Sequence, residues 1–161
     1  MTPATTVDAN FRSATLADVP AIVEIERISF GDPWSEATFR DLLSLRHAIF
    51  LVATEGRAAS VCGYVIAAVV AGEAEVLNLA VAPQSRGRGL GGRLLDAGLG
   101  IVGERGAREV FLEVRESNIA ALALYSSRGF ASLTRRAKYY RNPVEDALVL
   151  RRAVEGLLRR T

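Results

Sequence analysis

Residues 77–95, "LNLAVAPQSRGRGLGGRLL", form the passage whose reading decides the fold. An apolar run reaches Val81, and Pro83 then closes it, because proline cannot donate to a strand ladder. Four glycines (Gly87, Gly89, Gly91 and Gly92) and three arginines (Arg86, Arg88 and Arg93) stand just before an apolar helical pattern. Glycine lets the backbone turn sharply and approach a ligand without a Cβ in the way. Arginine supplies a planar fork suited to phosphate. A helix start adds unsatisfied N–H groups and the positive end of its dipole. The passage therefore predicts a strand, a phosphate-holding loop and a helix.

Outward from it, the pattern predicts a strand over 73–81 and a helix of about four turns over 89–106. Upstream, "AIFLVAT" (48–54) and "SVCGYVIAAVV" (60–70) read as strands joined by the turn "EGRAA" (55–59). Before them, a short strand from Phe11 leads to a helix capped by Thr15, with Ile22, Val23, Ile25, Ile28 and Phe30 on its apolar face. "GDPWS" (31–35) breaks that pattern, and Ser35 caps a second helix over 36–45. Downstream come the strand "EVFLEV" (109–114), a helix over 118–129 with Gly129 at its C′ position, and two closing strands across "NPVE" (142–145). This order predicts an α+β fold: a mixed central sheet flanked by about four helices, one domain over 1–161, with a basic tail about 152–161.

Bulk numbers narrow the class. Of 161 residues, 50% are hydrophobic and 24% charged, an ordinary soluble composition. No apolar run reaches the roughly 18 residues that span a bilayer, and the start lacks the basic and apolar regions of a signal peptide. One cysteine, Cys62, excludes an internal disulfide and fits a reducing compartment, so a cytoplasmic location is expected. The net charge of +2 hides an asymmetry. Residues 1–80 carry 5 basic and 10 acidic groups, whereas residues 81–161 carry 15 basic and 8 acidic ones. That split fits an anionic ligand on the second half and a cationic partner on the first, or simply a solvated surface. His47 has no ligand-spaced partners, so no metal is expected. Nothing resembles a nucleic-acid-binding module, and direct nucleic-acid binding is not expected.

Two readings of the glycine loop compete. Gly87, Gly89 and Gly92 spell the dinucleotide fingerprint, with Glu113 about 20 residues on where a ribose-binding acid would sit. In that fold, however, the strand feeds almost directly into the first glycine, and here five residues intervene. The hairpin strands also come first, and further βαβ units are missing. The second reading is R-x-x-G-x-G, formed by Arg86, Gly89 and Gly91.

On that motif, and over most of the chain from "FRSATLADVPAIVEIE" to "EDALVL", the sequence resembles the GNAT superfamily of acyl-CoA-dependent N-acyltransferases. "DPWSEATF", "LEVRESNIAALALYSSRGF" and "RRAKYYRNPVEDALVL" are most similar to its RimI family, bacterial enzymes that acetylate the N-terminal alanine of a small-subunit ribosomal protein. The resemblance implies acetyl-CoA as co-substrate, with no metal, and a ribosomal protein's N-terminus as acceptor. It implies a bulged strand whose Leu79, Ala80 and Val81 backbone pairs with the pantetheine arm. It also implies a pyrophosphate wrapped by Arg86, Gly87, Arg88, Gly89, Leu90, Gly91 and Gly92, with Asn118 touching the cofactor while capping its helix. Gly92 departs from the pattern, since some members carry arginine there.

Acetyl transfer needs a neutral amine, a polarised thioester and a protonated leaving thiolate. A peptide α-amine has a pKa near 8 and lysine near 10.4, so deprotonating lysine at neutral pH costs about 3.5 kcal/mol more. The resemblance makes Glu113 the base and Tyr125 the acid, a phenol that stays protonated at neutral pH. Taken alone, Glu113 also fits a strand carboxylate paired with Arg115 or Arg108. Oxyanion donors are expected from backbone N–H groups around Leu79 to Val81. Trp34, Tyr139 and Tyr140 are the candidate walls of a peptide slot, with Glu24, Glu26, Asp32 and Glu36 as acidic contacts; Trp34 otherwise reads as a helix staple. Two other outcomes fit the same scaffold: transfer to a lysine or a polyamine, or a non-catalytic acyl-CoA sensor.

Overall fold

In the computed structural model, which describes residues 8–154, seven strands form one mixed sheet. They are β1 (Ala9–Ser13), β2 (Ala48–Glu55), β3 (Ser60–Val70), β4 (Glu73–Val81), β5 (Glu109–Arg115), β6 (Ala131–Tyr140) and β7 (Glu145–Ala153). Their spatial order is β1-β2-β3-β4-β5-β7-β6. Every neighbouring pair is antiparallel except β4 and β5. A parallel pair needs a crossover, and α3 (Leu90–Glu104) makes it. The other α-helices among the described residues are α1 (Val19–Ser29), α2 (Glu36–Leu43) and α4 (Ile119–Ser127).

Alternation along the strands splits the core into two layers. Ile49, Leu51 and Ala53 of β2 and Val110, Leu112 and Val114 of β5 face α3, which buries Leu90, Leu94, Leu95, Leu99 and Val102 against them. On the opposite face, Phe50 and Val52 of β2 and Tyr64 and Ile66 of β3 meet Ile22 and Ile25 of α1 and Phe39 of α2. Phe39 stands edge-on to Tyr64 at 5.8 Å between ring centres. Each such buried side chain contributes about 1.5–3 kcal/mol. The α1–α2 layer lies over β2, β3 and β4. On β5, the residues alternating with Val110, Leu112 and Val114 are Phe111, Glu113 and Arg115, all only half-buried.

One irregularity positions the site. Along β3, Ile66 pairs with Asn78 and Ala67 with Val76, so Leu77 is an extra residue and β4 carries a bulge. β5 follows β4 only from Glu73 to Val76. Residues Leu77–Val81 continue beside β3 but have left β5, and the sheet opens between the two strands.

The structure departs from the sequence reading at both ends and on α1. Thr15 caps a short 3-10 turn rather than α1: Asp18 accepts from the Thr15 N–H at 2.8 Å and from both Arg12 Nη atoms at 2.7 and 2.8 Å. That pairing holds the Asp18 carboxyl below its ordinary pKa. Ile28 is 55% exposed, because the layer over α1 is narrower than its apolar stripe. Arg152 and Ala153 are strand residues of β7, not tail, and the tail beyond Val154 lies outside the described residues.

Candidate active site

The loop after β4 takes its shape from two glycines that need positive φ, Gly87 (79°) and Gly89 (77°), the second being the N-cap of α3. A Cβ at either would meet nothing, so the requirement there is conformational. At Gly92 it is steric, whereas Gly91 has room for a Cβ in ordinary contact. A Cβ at Gly91 would touch Leu124 of α4 and Val81 at 3.6 Å each. One at Gly92 would collide with the guanidinium of Arg128. The Arg93 N–H makes the first intrahelical bond of α3, to the Gly89 carbonyl at 3.2 Å, so the N–H groups before it have no intrahelical partner.

The arginines of the loop behave differently from expectation. Arg86 donates from Nε to the Val81 carbonyl (2.9 Å) and from Nη2 to Ser29 Oγ (2.9 Å), so it braces the loop against β4 and α1 instead of presenting a free fork. Arg88 Nη2 donates to the Gln84 carbonyl at 3.1 Å. Ser85 is buried and donates to Glu55 Oε1 at 2.6 Å, anchoring the loop to β2.

Below the loop, a polar cluster that sequence reasoning missed holds the bulge. Glu26 of α1 is 2% exposed, so it is no surface contact for a peptide. Its carboxylate accepts from the Trp34 N–H (3.1 Å), from Asn78 Nδ2 (2.8 Å) and from the Tyr64 hydroxyl. Burial and the Glu26 charge together push the Tyr64 phenol far above its ordinary pKa, fixing it as a donor. Asn78 in turn accepts from the Leu79 N–H at 2.9 Å. Leu79 is therefore already engaged where an oxyanion donor was expected, and Ala80, in step with Ala82 whose N–H donates to the Cys62 carbonyl, faces β3. Val81 alone of the three turns its N–H away from β3 uncommitted. Glu24 and Glu36 are also committed, to Arg27 (2.6 Å) and Arg40 (3.1 Å).

The open edge of β5 gathers the chemistry. Glu113 pairs with neither Arg115 nor Arg108; its partner is Arg136 of β6, at 3.2 Å. Arg115 instead ties the β6–β7 turn, donating to Pro143 O (2.9 Å), Arg141 O (2.6 Å) and Glu145 (3.3 Å) and stacking on Tyr140 at 4.5 Å. The Tyr139 hydroxyl meets the Glu113 carboxylate, which raises the phenol's pKa. Burial raises that of Tyr140, which also feels the charge of Glu113 and the nearby Tyr125. Tyr139 and Tyr140 stand perpendicular at 5.0 Å between ring centres. Glu75 of β4 completes the group: partial burial and the facing Glu113 raise its pKa, and Arg136 partly offsets this. Both carboxylates were legible as strand residues, but only the β4–β5 register brings them to one face.

Tyr125 comes from α4, whose N-cap Asn118 accepts from the Ala121 N–H at 3.1 Å. It is 8% exposed and packs edge-on to Phe130 at 5.7 Å. Burial pushes its phenol up to about 12, so the proton is held throughout the neutral range.

Trp34 packs on Phe39 at 5.7 Å between centres, so its ring is partly a core residue. Its loop nevertheless reaches the tyrosine hairpin. A Cβ at Gly31 would run into the Asn142 carbonyl oxygen, with the carbonyl carbon at 3.5 Å. The loop that carries Trp34 thus touches the turn that follows Tyr139 and Tyr140.

Residues 19–130 match the acetyltransferase (GNAT) family. The chain is 38% identical over 140 residues to the [ribosomal protein bS18]-alanine N-acetyltransferase of Escherichia coli K12, covering 86% of this chain and 93% of that protein. It is 38% identical over 144 residues to the N-alpha-acetyltransferase RimI of Mycobacterium tuberculosis, covering 86% and 88%. The crystal structure of the ribosomal-protein-S18-alanine N-acetyltransferase from Escherichia coli superposes with a TM-score of 0.84 at 32% identity, over 95% of this chain and 98% of that one. Ard1 from Thermoplasma volcanium superposes at 0.85 with 28% identity, over 92% and 99%.

Proposed function

The chain belongs to the acetyltransferase (GNAT) family, and from that premise we propose that it moves the acetyl group of acetyl-CoA onto the α-amine of the N-terminal alanine of small-subunit ribosomal protein bS18, in the cytoplasm. The relatives named for that reaction support the acceptor. The observation that carries the chemistry is the meeting of Glu113, Tyr139 and Tyr140 beside Tyr125, where β4 and β5 part.

In this reading the pantetheine arm lies in the opening along Leu77–Val81, and its phosphates rest on the loop at 86–92. Glu113, directly or through a water, takes a proton from the α-ammonium. The neutral amine attacks the thioester carbon; a C–N bond forms and the carbonyl electrons move to oxygen. The backbone N–H of Val81 stabilises that oxyanion. Its collapse breaks the C–S bond and expels the thiolate beside Tyr125. A phenol near 12 is a weaker acid than a thiol near 8.5. Tyr125 therefore stabilises the departing thiolate by donating a hydrogen bond and keeps its own proton. The second proton, which the nitrogen sheds as the amide forms, passes through water to the sulfur, and Glu113 returns the first to solvent. Trp34, Tyr139 and Tyr140 line the approach, and the Gly31–Asn142 contact ties the loop of Trp34 to the turn after the tyrosine pair.

Mass spectrometry tests this. With acetyl-CoA, a peptide beginning with alanine and then basic residues is expected to gain one acetyl group. Its twin, with a blocked N-terminus and one internal lysine, is expected to gain none. Acetylation of the lysine peptide alone would overturn the acceptor.

A further inference from the structure

The loop that should hold the cofactor's phosphates has two of its guanidinium groups turned away. Arg86 is bound to the Val81 carbonyl and Ser29, and Arg88 to the Gln84 carbonyl. A third arrives from elsewhere. Arg128, at the C-cap of α4, lays its guanidinium over the first turn of α3, with Cζ 2.6 Å and Nη1 3.0 Å from where a Cβ of residue 92 would stand. Only glycine at 92 leaves that seat open. One turn earlier on α4, Leu124 stands 3.6 Å from where a Cβ of Gly91 would be, an ordinary contact distance.

Arg128 is not held there by a strong partner. Its contacts to Asp96 are long, 3.3 and 3.4 Å, to a carboxylate 55% exposed, and its remaining bond goes to the neighbouring Ser127 hydroxyl at 2.9 Å. Its own side chain is 30% exposed. An exposed, long ion pair is weak and readily exchanged, whereas a guanidinium meeting a phosphate forms short, charge-assisted, bidentate bonds.

We propose that Arg128 is a phosphate-binding residue: seated in the notch left by Gly92, it grips a phosphate of the nucleotide half of the acyl-CoA over the first turn of α3, supplying from α4 the cation that the loop's own Arg86 and Arg88 do not. This rests on the acyl-CoA reading above. The phosphate is either the pyrophosphate or the 3′-phosphate, which share the chemistry.

Isothermal titration with free CoA and with 3′-dephospho-CoA decides it. Arg128→Ala is expected to weaken CoA binding about 10-fold or more, the worth of one charge-assisted bond, with the thermal midpoint of the unliganded protein nearly unchanged. If the loss is the same for 3′-dephospho-CoA, the partner is the pyrophosphate; if it vanishes, the partner is the 3′-phosphate. A second variant separates grip from packing. Gly92→Arg in the Arg128→Ala background grows a guanidinium from the vacated seat, and most of the lost affinity should return. Arg128→Ala binding CoA as tightly as the parent would overturn the proposal, as would a loss that Gly92→Arg does not repair. Failure of the parent protein to bind CoA at all would sink the acyl-CoA reading itself.

Discussion

Arg136 Nη1 lies 3.2 Å from Glu113 Oε1, so the carboxylate proposed to receive a proton from an ammonium group already faces a cation. In that reading the guanidinium occupies ground that an incoming N-terminus needs. It is 57% exposed and reaches over Tyr139 at 5.6 Å, which makes it displaceable.

Removing that placeholder should help the acceptor. Exposed pairs are worth about 0.2–1 kcal/mol, so Arg136→Ala is expected to lower the KM for an alanine-first peptide by about 1.5- to 5-fold. Steady-state kinetics at saturating acetyl-CoA reads this directly. A raised KM would mean that Arg136 binds the peptide.

Tyr125→Phe keeps the ring against Phe130 and deletes only the hydroxyl. Turnover is expected to fall about 10²-fold or more, while CoA binding measured by titration stays within about twofold. Turnover equal to the parent's would remove Tyr125 from the chemistry.

Glu26→Ala should be the costly change. It strands three donors, on Tyr64, Asn78 and Trp34, inside the α1–β3–β4 junction. A loss of about 3 kcal/mol or more is expected from urea unfolding. Tyr64→Phe removes one donor and leaves Glu26 two others, so about 1 kcal/mol suffices there.

Glu75 gives a dependence on pH whose sign is fixed. Its carboxyl pKa is raised in the folded state by partial burial and by Glu113. The native protein thus holds that proton more tightly than the unfolded chain, and ionised Glu75 costs stability as pH rises through the folded pKa. Glu75→Gln is expected to raise the melting temperature at pH 7–8, with the gain fading as the pH falls through the raised folded pKa and gone below about 4. Scanning calorimetry across that range checks it; a gain that grows toward acid would refute the sign.

Local signals were readable in the sequence because they act over three or four residues. Ser35 accepts from the Thr38 N–H, Asn118 from the Ala121 N–H, and Gly129 stands at φ 83° after α4, each where the residue types required. Glu113, Tyr125 and the tyrosine pair were found through their motif, and the structure brings them together. What escaped depends on distant elements. Glu26 looks like any helix glutamate until Tyr64, 38 residues on, meets it. Arg86 looked like a phosphate fork because nothing nearby in sequence predicts that Ser29 claims it. Gly92 read as a missing contact until α4 placed Arg128 on it.

The early parting of β4 from β5 leaves stability for a ligand to add. A ligand arm lying along Leu77–Val81, as proposed above, would supply contacts that β5 stops supplying after Val76. Such a ligand binds only the folded chain, and at 100 times its Kd it adds about 2.7 kcal/mol to stability. That is a sizeable part of the 5–15 kcal/mol that keeps an ordinary domain folded. The thermal midpoint is thus expected to climb with CoA concentration, which melting curves across a CoA titration check.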